Sequence, residues 1–269
     1  MNEVLSKKNG HNVIKIYNLK EKIYNNGVVK IKKTSFDTIK GISKKNLHNG
    51  KSTEEQLKKY LKKRVKERKE KIIDISFSND WKYFITLTFD TKNKDYFPNG
   101  YNHLQAIELL KKWINNQKHK NKNMRYIIVS EFHKKSGNLH FHGLFNKVNW
   151  NLSESINPHN NKPIIKNGCK IYNLLDYKLG FTTISEIKNS KKVSIYLSKY
   201  ITKDLISLNN KKVFWYSRNL YKPLINFKYL NSDLKSYLKA NDILFYKDYI
   251  KESSNIEIAE IKRKENIYD

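Results

Sequence analysis

Two short clusters of side chains in this 269-residue chain have the types and spacing that chemistry needs. The first is His140-Phe141-His142. In a strand, alternate side chains share a face, so the two imidazoles point together while Phe141 points into the core. Neutral imidazoles so placed can share one cation, and a carboxylate beside them completes a divalent-metal site. Such a carboxylate, Glu131, lies on the preceding strand. If Ser136-Gly137 is a two-residue hairpin loop, His133 pairs with His140 and Glu131 with His142, all on one face. A register slip of two still leaves Glu131 opposite a histidine or diagonal to one. The metal candidates are therefore Glu131, His140 and His142, with His133 as an outer neighbour. The zinc-protease pattern H-E-x-x-H is absent. An HxH triplet alone is a weak signal in a chain with 8 His, and the bland reading is a polar sheet face; the hairpin is what strengthens it.

The second cluster is Tyr196-x-x-Lys199-Tyr200-x-x-Lys203. The spacing predicts a helix from about 191 to 207, buried through Leu197, Ile201, Leu205 and Leu208. Tyr196, Tyr200 and Lys203 then form a second stripe, turned by about 100° from the first. Side chains four apart on a helix stand about 5–6 Å apart at Cβ, so both phenols reach one site. Each tyrosine has a lysine three residues on, a cation that favours phenolate over phenol. A structural role for these tyrosines, edging a core, is the plain alternative.

Other elements must hold these clusters. Tyr83–Phe89 reads as a buried strand, and His103 to about Lys118 as an amphipathic helix. Strands are expected at 125–133, 139–145, 181–187 and 213–216. Residues 149–178 read as irregular. Near the N-terminus Val28–Ile31 suggests a strand, and Ser52 with Glu55 suggests a capping box opening a basic helix to about residue 72. The tail offers a short helix near 233–240 and a strand near 243–249. The division expected is a basic N-terminal extension, 1–75, a central domain, 76–225, and a C-terminal extension, 226–269.

Lys and Arg total 54 against 25 acids, a net charge of +29 and a pI near 9.8. Part of this reflects an AT-rich coding composition, but the acids were not raised to match, and the field attracts polyanions. No run of apolar residues is long enough to span a bilayer, and no signal-peptide pattern opens the chain. One cysteine, Cys169, gives no disulfide framework. A cytoplasmic location, in a bacterial host cell, is expected.

Three segments in order, Phe84–Phe89, Glu131 through His140-Phe141-His142, and the paired tyrosines, resemble the motifs of HUH rolling-circle replication initiators. The tyrosine pair is similar to the two-tyrosine branch of single-stranded DNA phages and some plasmids. Phe214–Arg218 and Pro223 resemble the end of that domain, so the likeness covers roughly 78–225. It implies an α+β fold, with a mainly antiparallel sheet of RRM-like type, the histidine strand central, and the tyrosine helix packed across it. It further implies Mg²⁺ or Mn²⁺ on Glu131, His140 and His142, polarising the scissile phosphate. Tyr196 or Tyr200 then attacks, leaving a 5′-phosphotyrosine and a free 3′-OH, with Lys199 and Lys203 assisting. The expected partners are single-stranded origin DNA, a host polymerase and a host helicase, since no P-loop motif occurs. Two other readings stay open: a non-enzymatic DNA-binding initiator or regulator, and an HUH transposase or relaxase.

Overall fold

The structure, a computed structural model, describes residues 5–9, 12–40, 53–133, 135–202, 213–238, 242–251 and 254–262. It divides into two compact units: residues 53–220, and residues 1–52 together with 221–269. Each is an antiparallel sheet with helices, an α+β fold. No helix among the described residues is long and apolar enough to cross a membrane.

The unit of residues 53–220 is built on a seven-stranded sheet. Its strands are β4 (Tyr83–Phe89), β5 (Tyr126–Phe132), β6 (Leu139–Phe145), β7 (Leu152–Glu154), β10 (Tyr172–Leu174), β11 (Gly180–Glu186) and β12 (Phe214–Tyr216), in the order β12-β5-β6-β4-β11-β10-β7. A separate hairpin pairs β8 (Ile165–Lys166) with β9 (Cys169–Lys170). The stretch read as irregular thus holds four short strands.

Three helices accompany this sheet: α1 (Glu54–Phe77), α2 (His103–Lys120) and α3 (Ser190–Ser198). The capping box of α1 is one residue later than the sequence suggested. Thr53 accepts from Gln56 N, and the Gln56 side chain accepts from Thr53 N; Ser52 lies outside the described residues.

Strand β6 explains the layering. Trp113 of α2 meets the Phe145 ring at 6.3 Å between centroids, while Tyr200, just after α3, lies on His142. Residues of opposite parity in a strand face opposite ways, so α2 and the tyrosine segment cover opposite faces. That is why β6 is buried almost throughout, with Phe141, Leu144 and Phe145 fully so. At the sheet's other side Gly180 has φ +152°, and an added Cβ would stand 2.3 Å from Thr88 O. Only glycine lets β11 start against the end of β4 there.

The other unit is a six-stranded sheet of β1 (Leu5–Asn9), β2 (Asn12–Ile23), β3 (Val28–Lys40), β15 (Ser254–Lys262) and β14 (Asp242–Lys251), in that order, with β13 (Leu224–Lys228) also on β2. A short helix, α4 (Leu234–Leu238), contributes Leu234 and Leu238 to its core with Leu19, Ile23, Val29 and Ile31. The segments read as two separate extensions therefore form one sheet, joined where β3 pairs with β15. The basic helix assigned to the first extension falls instead within the unit of residues 53–220.

Candidate active site

The site is laid out by strand register. Glu131 on β5 stands opposite His140 on β6, and Val129 opposite His142. On the other side of β6, Thr86 faces His142 and Thr88 faces His140; across β4, Thr183 faces Thr86. Directly opposed residues share a face of the sheet, so Glu131, His140, His142, Thr86 and Thr183 all lie on one.

The β5–β6 hairpin differs from its expected form. His133 N donates to Asn138 O, and Gly137 N to His133 O, both at 2.8 Å. The loop is therefore four residues, 134–137, with Gly137 at φ +69° in the left-handed position. This moves the register by two from the two-residue-loop reading. His133 stays exposed, accepting or donating at Nδ1 with Ser136 Oγ, and its ring stacks on His140 at 4.7 Å.

The slip keeps Glu131 in place. Its Oε2 lies 2.8 Å from His142 Nε2, diagonally across the ladder. On the far side of the ring, His142 Nδ1 is 3.1 Å from Thr86 Oγ1. Burial pushes the His142 pKa down to about 4, so at neutral pH the ring is uncharged. The short contact is then a neutral N–H donating to a carboxylate rather than an ion pair, and Thr86 donates to the other nitrogen. His140 is also pushed down, by burial first and then by His133 and His142, against the pull of Glu131.

Among the described residues no three His, Cys, Asp or Glu side chains converge as a metal cluster. The donor set nonetheless fits a divalent cation. Two imidazoles are biased to the lone-pair-bearing form, and a carboxylate stands beside them. The 2.8 Å between nitrogen and oxygen is close to the edge of an octahedral site with ligands at about 2.0–2.1 Å, roughly 3 Å.

The tyrosine segment is shorter in helix than its periodicity predicted. Helix α3 ends at Ser198, and Lys199, Tyr200 and Ile201 donate to carbonyls three back, at 3.1–3.3 Å, in a tightened last turn. Leu197 and Ile201 are fully buried as expected. Lys203, Leu205 and Leu208 lie outside the described residues.

Tyr200 lies flat on His142, with centroids 3.8 Å apart and planes 8° from parallel. Tyr196 meets Tyr200 edge-on at 5.3 Å and Phe84 at 5.6 Å. Tyr196 is 47% exposed, whereas Tyr200 is half-buried. Burial, a hydrogen bond with Tyr196 and the charges of Tyr196 and Glu131 all push the Tyr200 pKa upward. The expected bias toward phenolate from a neighbouring lysine is thus reversed at Tyr200; Lys199 is exposed and lines the same cleft as both phenols.

Sequence reasoning overlooked Thr86 and Phe84 as site residues, although their alternation in β4 puts them on the histidine face. No signal in the sequence pointed to the β8–β9 hairpin, which also lines this cleft.

No curated protein and no solved structure matches the chain significantly. Residues 82–205 match the family model described as Replication-associated protein ORF2, a segment that runs from β4 through both tyrosines and supports a role for this chain in replication initiation at an origin.

Proposed function

We propose that the chain is a rolling-circle initiator of two-tyrosine HUH type, which nicks and rejoins single-stranded DNA. The observation that carries this is the convergence of three sequence-distant segments: Tyr200 on His142, His142 on Glu131, and Tyr196 on Tyr200. Glu131, His140 and His142 would hold Mg²⁺ or Mn²⁺, which supplies Lewis-acid polarisation of a non-bridging phosphate oxygen.

The rest of the chemistry belongs to the side chains. The phenol oxygen of Tyr196, the more exposed of the pair, attacks phosphorus; the P–O bond to the 3′ oxygen breaks, and the DNA 5′ end is left on tyrosine. The proton lost by Tyr196 passes toward Tyr200, its hydrogen-bond partner. The covalent link conserves the phosphodiester for rejoining by the freed 3′-OH. Tyr200 repeats the attack on the next strand. Thr86 and Glu131 fix the orientation of the His142 ring, as outer partners of ligating histidines do.

Incubation with single-stranded origin DNA and Mn²⁺ should give a covalent protein–DNA band that the Tyr196→Phe/Tyr200→Phe variant does not form. A band of equal yield from that variant rules the assignment out. A non-catalytic DNA-binding reading draws on the Glu131–His142 bond being closed, with no third ligand converging among the described residues. It predicts chelator-insensitive binding and no covalent band with any origin strand.

A further inference from the structure

The face that carries the histidines continues across β11 into a cleft of about 580 Å³, bounded by the β8–β9 hairpin and the start of α3. It includes His142, Tyr196 and Tyr200, so it is continuous with the site. Its volume is in the range of about 300–1,000 Å³ typical of ligand clefts. Thr183 and Ser185 of β11 line it, on the same face as Thr86 and Phe84.

The charge lining this cleft is one-sided. Lys166, Lys188, Lys192 and Lys199 line it against one acid, Glu186, and Glu186 is paired with Lys82 at 2.9 Å. Lys188 Nζ donates to the carbonyl of Gly168 at 2.9 Å, a neutral partner that leaves its charge unbalanced. Aromatic surface is present too, in Phe84 and the half-exposed Tyr196. Cations beside flat apolar rings are what a nucleotide needs, since phosphate takes the charge and base the ring.

The hairpin has no evident part in stability. Each strand is two residues long, too short to persist unaided. None of residues 165–170 joins the hydrophobic core, and Ile165 is 63% exposed. Its tip, Asn167-Gly168, has φ of +50° and +71°, the two-residue turn that reverses a chain most tightly. Lys188 ties that tip to the segment leading into α3, and the hairpin contributes Lys166 and Asn167 to the cleft lining.

We propose that this cleft is a reading pocket for single-stranded DNA. It takes one or two nucleotides flanking the attacked phosphate, with base against Phe84 and Tyr196 and phosphate on Lys166 and Lys188. The β8–β9 hairpin and Thr183 set which bases are preferred. This rests on the nicking reading above for the identity of the strand.

The test uses the full chain, a fluorescent single-stranded oligonucleotide for binding, and a pool randomised around the nick for cleavage. Lys166→Ala/Lys188→Ala should weaken binding roughly 10- to 30-fold near 0.1 M salt and make the log–log salt slope shallower by about 1.4, two single-strand phosphate contacts. The effect on nicking should fall on KM rather than kcat, and Lys188→Arg should keep the wild-type slope. Thr183→Val leaves the hairpin and its charges untouched and should change base preference at a position next to the nick, with the slope kept. A double variant with wild-type slope, together with a Thr183→Val protein of unchanged preference, overturns the pocket even if covalent nicking is intact. A shifted slope in a protein that forms no covalent band upholds the pocket and defeats the nicking reading. A wild-type chain that binds no single strand overturns both.

Discussion

The two sheets handle buried polar side chains in opposite ways. In the sheet of β2, β3 and β15, Glu21 is 1% exposed. Tyr237 OH donates to Glu21 Oε1 at 2.9 Å, and Lys228 Nζ lies 3.0 Å from its Oε2 and donates to Tyr237 OH. Glu257 is met likewise by Lys33, by Tyr246 OH and by the backbone N–H of Leu234. Both carboxylates are closed on protein partners. In the sheet of β4, β5 and β6, His142 is 7% exposed and has Thr86 and Glu131 as partners, yet it lines an open cleft beside two phenols. A buried polar network that closes on itself specifies a fold, while one that ends at a cavity is arranged for a ligand.

Breaking the second network should cost chemistry and breaking the first should cost stability. The largest effect expected is for Tyr196→Phe/Tyr200→Phe. Removing a nucleophile costs up to about a millionfold, so covalent adduct should fall to background while thermal unfolding is little changed. Tyr196→Phe alone should slow the first nick more than Tyr200→Phe does, as rapid-quench kinetics on a single strand would read. Metal removal comes next. Chelation should take nicking to background and leave single-strand binding in place, with Mn²⁺ restoring the rate.

Smaller effects separate the sheets by stability. Glu21→Ala strands Lys228 and Tyr237 and should destabilise by roughly 3 kcal/mol in denaturant titration, below the top of the range for buried pairs because Lys228 is about a third exposed. Its adduct rate per folded molecule should match wild type. Acid sensitivity of the metal-free protein should trace to His142. Its folded pKa of about 4 lies below the ordinary 6.5, so the unfolded chain takes up the proton first. Stability is full above pH 6.5 and is lost as pH falls toward 4, by up to roughly 3 kcal/mol at about 1.4 per unit. A His142→Asn variant should lack that slope.

How much of this was legible beforehand depends on how local each feature is. Strand β4 and helix α2 were readable because their periodicities are long and unbroken. The sharing of one face by Glu131 and His142 survived a wrong loop length, since side chains in a strand repeat every two residues and the slip was two. Helix α3 was drawn too long because Leu197, Ile201, Leu205 and Leu208 keep a helical period that the described chain follows only to Ser198. The closing of N- and C-terminal segments into one sheet, with Ile31 opposite Ala259, left no local trace: such pairing is decided by burial across the whole chain. The upward shift at Tyr200 was equally hidden, because it comes from burial against His142 and from Tyr196, not from the lysines beside it in sequence.

The decisive measurement is mass spectrometry of peptides from the full chain after reaction with single-stranded origin DNA and Mn²⁺, followed by nuclease trimming. A two-tyrosine nickase should carry a nucleotide-phosphate adduct on the peptide holding Tyr196 and Tyr200, chiefly on Tyr196 after one turnover, and none when Glu131 is replaced by Gln. An adduct on any other residue, or DNA nicked with no tyrosine modified, would refute that assignment.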